Sequence, residues 1–509
     1  MTPHSIKDRI RACWLGKNIG GTLGCPFEGE PGPLDLDFYR PVPTEPLPND
    51  DLDLQVVWLH HLLTGKHTTV TPDILAEAWE KHVEFPFDEY GVAKRNYAYG
   101  IKGIALGAFD NYFAECMGGA IRSEIWACIA PGDPKRAAGL AWADASVDHA
   151  AEGVYAEMFH AALQSAAFTI DDREALIDVG LEFVPKSSRL GQALRDTQSW
   201  WRESGDWMTV RGQILEKYDV GNFTDVVANL CFELVGWYAG EGDFGRSICI
   251  AVNCGLDTDC TGATLGALLG ILDPSSIPQK WIEPIGENIV LSPEIVGVPV
   301  PRDIDELTEM TLRLGEQLAG FEAPIGEVLP AGPQQLPNEY VSIASALADT
   351  DEALPTNLDA SDFDWKACTL HGHWLRWEES DFRGAHRLLK CPINLAESMP
   401  LKLLTGAPAG AQVWVDGVKV MGYSAEELAL DPMAVPTLHR GGIATKIFAN
   451  ENLLAEGNHE LVVALPRPAP GCWADLVICL GDPVTNLWLP WGLTPAGGRR
   501  ILTQEQNTA

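Results

Sequence analysis

Acidic residues cluster at two points of the chain where a helix is predicted to begin. The first cluster opens an apolar stretch with helical spacing and consists of Asn49, Asp50, Asp51 and Asp53. Asn49 is a favoured N-cap and the acids complement a helix dipole, so a structural role is one interpretation. Three carboxylates within four positions also repel one another unless a cation neutralises them, and Mg²⁺ prefers oxygen-rich clusters. Both a capped helix and a metal site fit this segment.

The second cluster places Asp257 and Asp259 between two apolar runs. Carboxylates in such an apolar neighbourhood need a partner, because an unpaired buried charge is costly. A metal ion or a salt bridge would satisfy them. The following residues Gly262, Gly266 and Gly270 share one face of a predicted helix, which would let a neighbouring helix approach closely and bring its own groups to the acids.

Three segments together resemble the ADP-ribosylglycohydrolase family. The stretch from Gly16 to Glu28, GKNIGGTLGCPFE, is similar to the Gly-rich opening helix of that family. Asn49-Asp50-Asp51 resembles its first metal motif, usually Thr-Asp-Asp, and the segment 257–260, DTDC, resembles its last, usually Asp-x-Asp-Thr. The three motifs occur in the family's order, and the resemblance covers about residues 5–275.

The resemblance implies an all-α fold with two Mg²⁺ ions, or Mn²⁺, and cleavage of an N- or O-glycosidic bond at the anomeric carbon of a ribose or other furanose. Cys260 departs from the family pattern, since Mg²⁺ avoids sulfur, so Thr261 or a water is expected to take its place. The implied metal ligands are Asn49, Asp50, Asp51, Asp257, Asp259 and Thr261. The implied catalytic groups are Glu28, Asp51 and Asp257.

A third polar segment lies at another predicted helix start. Ser146 or Asp148 could cap that helix, or Asp148 and His149 could line the cleft and contact substrate hydroxyls. Arg122 could meet an anionic group, although a surface pair with Glu124 or a neighbouring residue is the simpler interpretation.

The periodicity of the apolar residues changes along the chain. It is helical over residues 1–320, which predicts an all-α catalytic domain, and residues 321–344 form a Pro- and Gly-rich linker. Residues 345–509 alternate with period two, and Asp416-Gly417 between two such runs predicts a hairpin. We therefore expect a multidomain α and β protein in which an accessory β-sandwich follows the helical domain.

The composition of the chain argues against several classes of function and location. A formal net charge of −35 argues against binding to nucleic-acid backbones. No apolar run approaches the roughly 20 residues that cross a bilayer, and no secretory signal opens the chain, so a cytoplasmic location is expected. The cysteines are scattered without paired motifs and are interpreted mainly as small buried residues. The oligomeric state is left open.

The sequence therefore predicts a Mg²⁺-dependent glycosidase of carbohydrate metabolism that acts on a small glycoside or an ADP-ribosylated substrate. Metal-dependent phosphoester hydrolysis is the first alternative, because a two-metal site serves that reaction equally well. A catalytically silent protein that binds ADP-ribose or a sugar is the second, since Asn49 and Cys260 depart from the family motifs. The appended β domain favours a small glycoside by association with carbohydrate-active enzymes.

Overall fold

The computed structural model describes residues 4–85, 88–332, 342–395, 398–423, 443–449, 452–481 and 488–489. The chain forms two compact units, and each is discontinuous in sequence. The first contains residues 4–85, 102–108 and 113–331, and the second contains the described residues of 86–101, 109–112 and 332–489.

Sixteen α-helices lie within the described residues. Their bounds are α1 Ile6–Gly24, α2 Asp50–Thr64, α3 Pro72–His82, α4 Asp88–Ala98, α5 Ala105–Ala108, α6 Ser123–Ile129, α7 Pro134–Ala145, α8 Ala151–Ala166, α9 Arg173–Leu181, α10 Arg189–Ser204, α11 Trp207–Tyr218, α12 Val226–Ala239, α13 Phe244–Asn253, α14 Thr258–Leu272, α15 Gln279–Ile282 and α16 Ile304–Gln317. Across these described ranges, none of the helices combines the length and the apolar character that crossing a bilayer requires.

Many helices of the first unit begin at side-chain caps, and the helices bury their apolar faces against one another. Ser5 and Asp8 form a capping box at the start of α1, and Thr71, Asp172 and Ser188 cap α3, α9 and α10. The helices α8, α12 and α14 are buried over most of their length and form the centre of the unit. The prediction of an all-α domain is confirmed.

The segment after α16 packs on the first unit. The indole of Trp142 in α7 donates to the Glu327 carbonyl at 3.0 Å, and the backbone N–H of Ala151 donates to the Leu329 carbonyl at 2.9 Å. Part of the predicted linker is thus hydrogen-bonded to the helices. The domain boundaries at residues 320 and 344 stay a prediction.

The second unit contains two antiparallel sheets. The strands are β1 Ser342–Thr350, β2 Lys366–His371, β3 Trp374–Glu378, β4 His386–Leu395, β5 Leu401–Gly406, β6 Gln412–Val415, β7 Val418–Gly422, β8 Ile443–Phe448, β9 Gly457–Pro466, β10 Trp473–Gly481 and β11 Trp488–Leu489. One sheet has the order β2-β1-β4-β9-β6-β7, and the other has the order β11-β10-β5-β8 with β3 also paired to β10. The predicted β fold is confirmed.

The hairpin between β6 and β7 turns where the sequence indicated. Asp416 and Gly417 have φ values of 50° and 77°, which the two-residue hairpin turn requires. Trp414 and Val462 pack with Leu388 on one face of the larger sheet, so the alternating residues form a core.

Helix α4 belongs to the second unit although it lies within the helical part of the sequence. The buried carboxylate of Asp110 accepts hydrogen bonds from the backbone N–H groups of His373 and Trp374, the latter at 2.6 Å. The guanidinium of Arg95 in α4 donates to the Asp110 carbonyl at 3.1 Å. These contacts attach residues from the helical half to β3, which the sequence did not predict.

Candidate metal centre

Glycines join α1 to α14 at close range. Gly16 and Gly20 of α1 lie against Gly266 and Gly262 of α14, and a Cβ atom at any of these positions would overlap the opposite backbone. At the end of this contact, the Thr258 hydroxyl donates to the carbonyl of α1's last residue at 2.8 Å. The expectation that a second helix approaches the glycine face of α14 is confirmed. The end of α1 is therefore fixed beside the start of α14.

The start of α2 lies against the same part of α1. The side-chain oxygen of Asn49 accepts a hydrogen bond from the backbone N–H of Asp51 at 2.8 Å and so caps α2. A Cβ atom at Gly21 would overlap the Asn49 amide, so the absent side chain makes room for the cap. The Asn49 Nδ2 atom is buried and has no hydrogen-bond partner among the described residues. The two acidic segments thus begin their helices next to each other.

Six side chains from these helix ends form what we call the acidic centre: Glu28, Asp50, Asp51, Asp257, Asp259 and Cys260. One potential ligand atom from each of Asp51, Asp259 and Cys260 lies within 4.8 Å of the other two. The same holds for Glu28, Asp257 and Asp259. Asp259 is common to both sets, so the acids near residue 50 and those near residue 257 meet in the fold.

Three carboxylates of the acidic centre are buried, and two of these have an oxygen without a hydrogen-bond partner among the described residues. Asp51, Asp257 and Asp259 are 0%, 3% and 7% exposed, and the Oδ1 atoms of Asp257 and Asp259 have no hydrogen-bond partner in the described part of the chain. Burial, followed by the charges of neighbouring acids, raises the pKa of Asp257 and Asp259 well above the usual range. Such groups need a cation, and an all-oxygen set suits a hard divalent ion.

Lys17 is a buried cation within the first unit that the sequence reasoning did not single out. Its ammonium donates to Asp51 Oδ1 at 3.0 Å, to Glu124 at 3.1 Å and to the Ile121 carbonyl at 2.8 Å. Burial alone would lower the pKa of Lys17, but the charges of Asp51 and Glu124 raise it above its ordinary value. The signal available was a lysine within the Gly-rich and mostly uncharged second half of α1. One shared positive charge leaves the acidic centre strongly negative.

Glu28 differs from the other members because it keeps an exposed surface. Partial desolvation, followed by the charges of Asp50 and Asp51, raises the pKa of Glu28 to about 7. Its carboxylate nevertheless lies in the set with Asp257 and Asp259. A carboxyl that titrates near neutral pH at the edge of a buried acid cluster is suited to proton transfer.

Thr261 and Cys260 occupy different places at the start of α14. The Thr261 hydroxyl is fully buried and donates to the Thr258 carbonyl at 3.2 Å. The Cys260 thiol instead faces the acidic centre, where Sγ lies 3.7 Å from Asp51 Oδ2. The sulfur therefore stands among the acids, and a ligand role for Thr261 stays a prediction.

A second buried cluster, which we call the arginine cluster, consists of Arg122, Asp144, Asp148 and His149. The guanidinium of Arg122 binds Asp148 through two hydrogen bonds of 2.8 and 2.9 Å and contacts Asp144 at 3.0 Å. The His149 ring contacts Asp148 at 2.7 Å. All four residues are at most 1% exposed.

The arginine cluster bears on two predictions made from the sequence. The surface pair expected between Arg122 and Glu124 is wrong, since both residues are fully buried and Arg122 binds two aspartates whereas Glu124 binds Lys17. The expected contact of Asp148 and His149 with substrate stays a prediction, and their burial in an ion-paired network does not favour it.

Comparison with known proteins identifies the fold class. The family model described as ADP-ribosylglycohydrolase matches residues 2–319, and the chain belongs to that family. Membership supports a glycohydrolase function. No curated protein matches the chain.

Two solved structures are similar over part of the chain. An "ADP-ribosylglycohydrolase-related protein complex" is 21% identical, with 62% of this chain and 99% of that chain covered and a TM-score of 0.42. An anti-sigma factor domain-containing protein from Clostridium clariflavum is 11% identical, with 32% of this chain and 53% of that chain covered and a TM-score of 0.19.

Proposed function

We propose that this protein is a divalent-metal-dependent glycohydrolase that cleaves a glycosidic bond at the anomeric carbon of a ribose or related furanose. The observation that carries the proposal is the pair of buried carboxylates, Asp257 and Asp259, each with an oxygen that has no partner among the described residues. Family membership supports the reaction class.

The acidic centre fits divalent cations by its donor set. Asp50, Asp51, Asp257 and Asp259 would be the ligands, and the excess of buried negative charge over Lys17 is the driving force. The Asn49 oxygen already accepts the N–H of Asp51, so Asn49 mainly holds the cap that orients its neighbours. Divalent cations held there would orient vicinal sugar hydroxyls and polarise a water molecule; Mg²⁺ and Mn²⁺ are the proposed ions.

The protein's own residues would transfer the proton and stabilise the positive charge that develops on the substrate. Glu28, with a pKa of about 7, is present in both protonation states near neutral pH and can exchange a proton with the leaving group or the attacking water. The surrounding carboxylates stabilise the positive charge that develops on the sugar ring. Asp51 is held in place by Lys17, so its second oxygen keeps a fixed direction.

A substrate panel with Mg²⁺ tests the proposal. We expect release of nitrophenol from nitrophenyl ribofuranosides, or of ADP-ribose from ADP-ribosylated arginine, and loss of both activities on chelation. Hydrolysis of nitrophenyl phosphates instead would favour the phosphoesterase alternative. Two neighbouring ions that share Asp259 as a ligand would also suit that reaction. Binding of ADP-ribose without turnover of any substrate would identify a silent binding protein.

A further inference from the structure

The acidic centre contains two chemically unlike sets of potential ligands. Glu28, Asp257 and Asp259 offer oxygen alone, and Glu28 is exposed. Asp51, Asp259 and Cys260 offer two oxygens and a sulfur, and all three are buried. Because Asp259 belongs to both sets, two bound ions would lie next to each other and would differ in their remaining ligands.

Sulfur and oxygen ligands select different metals. Mg²⁺ is a hard ion that takes oxygen ligands, whereas thiolates favour softer ions such as Zn²⁺. Zn²⁺ also accepts carboxylate oxygens beside a thiolate, with distances of roughly 2.0–2.2 Å to oxygen and about 2.3 Å to sulfur. A set of two carboxylates and one cysteine therefore suits a thiophilic ion better than Mg²⁺.

The contacts of Asp51 orient this second set. Lys17 donates to Oδ1 of Asp51 at 3.0 Å, and Cys260 Sγ lies 3.7 Å from the other oxygen, Oδ2. The oxygen that is not held by the ammonium therefore faces the sulfur. Asp259 is 7% exposed and its Oδ1 atom has no partner among the described residues, so an unsatisfied buried acceptor stands beside the thiol.

We propose that the acidic centre holds two unlike divalent cations, Mg²⁺ on Asp257 and Asp259 beside Glu28, and a thiophilic ion of the Zn²⁺ class on Asp51, Asp259 and Cys260. Cys260 binds as the thiolate, and its proton leaves to solvent as the sulfur–metal bond forms. This inference rests on the metal centre of the proposed function and assigns a different ion to each half. Cys260 is then the residue that determines metal specificity.

Spectroscopy of the full-length protein tests the sulfur bond without reference to activity. Metal-free protein is titrated with Cd²⁺ or Co²⁺ in the presence of Mg²⁺, and the ultraviolet charge-transfer band of a thiolate–metal bond is recorded. We expect a band that saturates at one equivalent per chain. In Cys260→Ser this band should be lost, and the affinity for Zn²⁺ should fall by more than the roughly 10²-fold that loss of an outer partner costs.

Cys25→Ser is the matched control, because this exposed cysteine lies directly after α1 at the edge of the same region and belongs to neither set. It should keep the band. Mg²⁺ calorimetry on Cys260→Ser, and on Cys260→Thr as a second variant, verifies that the fold and the oxygen set survive the change.

The outcomes separate the inference from the proposed function. A wild-type protein that binds Mg²⁺ and turns over but shows no band, or a band unchanged in Cys260→Ser, overturns the assignment of unlike ions and leaves the glycohydrolase intact. A protein that shows the Cys260-dependent band but no glycoside turnover supports the assignment and overturns the proposed function.

Discussion

Two buried carboxylate clusters of the helical unit differ in the origin of their counter-charge. In the arginine cluster, Arg122 binds both Asp144 and Asp148 within hydrogen-bonding distance. In the acidic centre, the Lys17 ammonium contacts Asp51, and it shares its charge with Glu124, a buried acid outside the centre. Arg122 gives both acids of the first cluster a hydrogen-bonded cation, whereas oxygens of Asp257 and Asp259 in the second have no partner among the described residues, and we propose that cations from solution supply one. Clusters of acids that look alike in sequence thus have different internal partners.

The largest expected effect is on turnover, and it should distinguish the two clusters when an aspartate in each is changed to asparagine. Asp257→Asn should reduce turnover by far more than the roughly 10–100-fold that loss of an outer partner costs, because it removes ligand charge. Its metal-free form should be at least as stable as wild type, since repulsion is relieved. Steady-state rates and thermal melting measure both quantities.

Asp148→Asn is the counterpart and should destabilise the protein strongly, because it weakens a buried ion pair. Wild-type turnover by Asp257→Asn would contradict the metal role of the acidic centre. Equal loss of stability in both variants would remove the distinction between the clusters.

Glu28→Gln tests the exposed edge of the acidic centre. We expect the rate to fall by roughly 10²–10⁴, the range of general acid or base catalysis, while Mg²⁺ affinity changes less than in Asp257→Asn. The pH–rate profile of this variant should also lose the change in activity near pH 7 that titration of Glu28 causes. An unchanged profile would assign proton transfer to another group.

Arg122→Met tests the arginine cluster from the side of the cation. Removing one partner of a buried pair should lower the free energy of unfolding by about 3–5 kcal/mol, because two aspartates lose their counter-charge. Arg202→Met is the control, since its exposed pair with Glu174 contributes at most about 1 kcal/mol. Denaturant unfolding measures both, and similar values for the two variants would contradict the structural role.

The smallest expected effect is a pH dependence of the metal-free protein. Burial raises the pKa of Asp53 to about 7, and burial likewise raises the pKa of Asp257 and Asp259. Asp53 holds its proton in the folded state from about pH 4 to about 7, where the unfolded chain has released it, and Asp257 and Asp259 act in the same direction. Stability should therefore fall as pH rises through this window.

Saturating Mg²⁺ should reverse this trend, with about 2.7 kcal/mol of stabilisation at 100 times the Kd, or several degrees in Tm. Melting curves at pH 5.5 and 8, with and without Mg²⁺, test the statement. A metal-free protein that is more stable at the higher pH would show that the centre is neutralised by its own residues.

The sequence by itself determined the elements of the acidic centre. Asn49 and the following acids marked a capped helix start, Asp257 and Asp259 marked a helix start without a side-chain cap, and the glycines of α14 indicated a close helix partner. These features are local, because capping and helical periodicity depend on residues within a few positions of one another. The β hairpin at Asp416-Gly417 was predictable for the same reason.

Only the tertiary structure decided which charges meet. Lys17 lies over 30 positions from Asp51, and Arg122 lies over 20 from both Asp144 and Asp148. No local pattern therefore indicated that both acids of one cluster are hydrogen-bonded to a buried arginine. The same holds for Asp110, which binds the backbone of His373 and attaches α4 to the β unit. Helix propensity fixes where a side chain lies on its own helix, whereas its partner depends on packing between distant segments. That packing decides whether a buried acid has an internal partner or needs a cation.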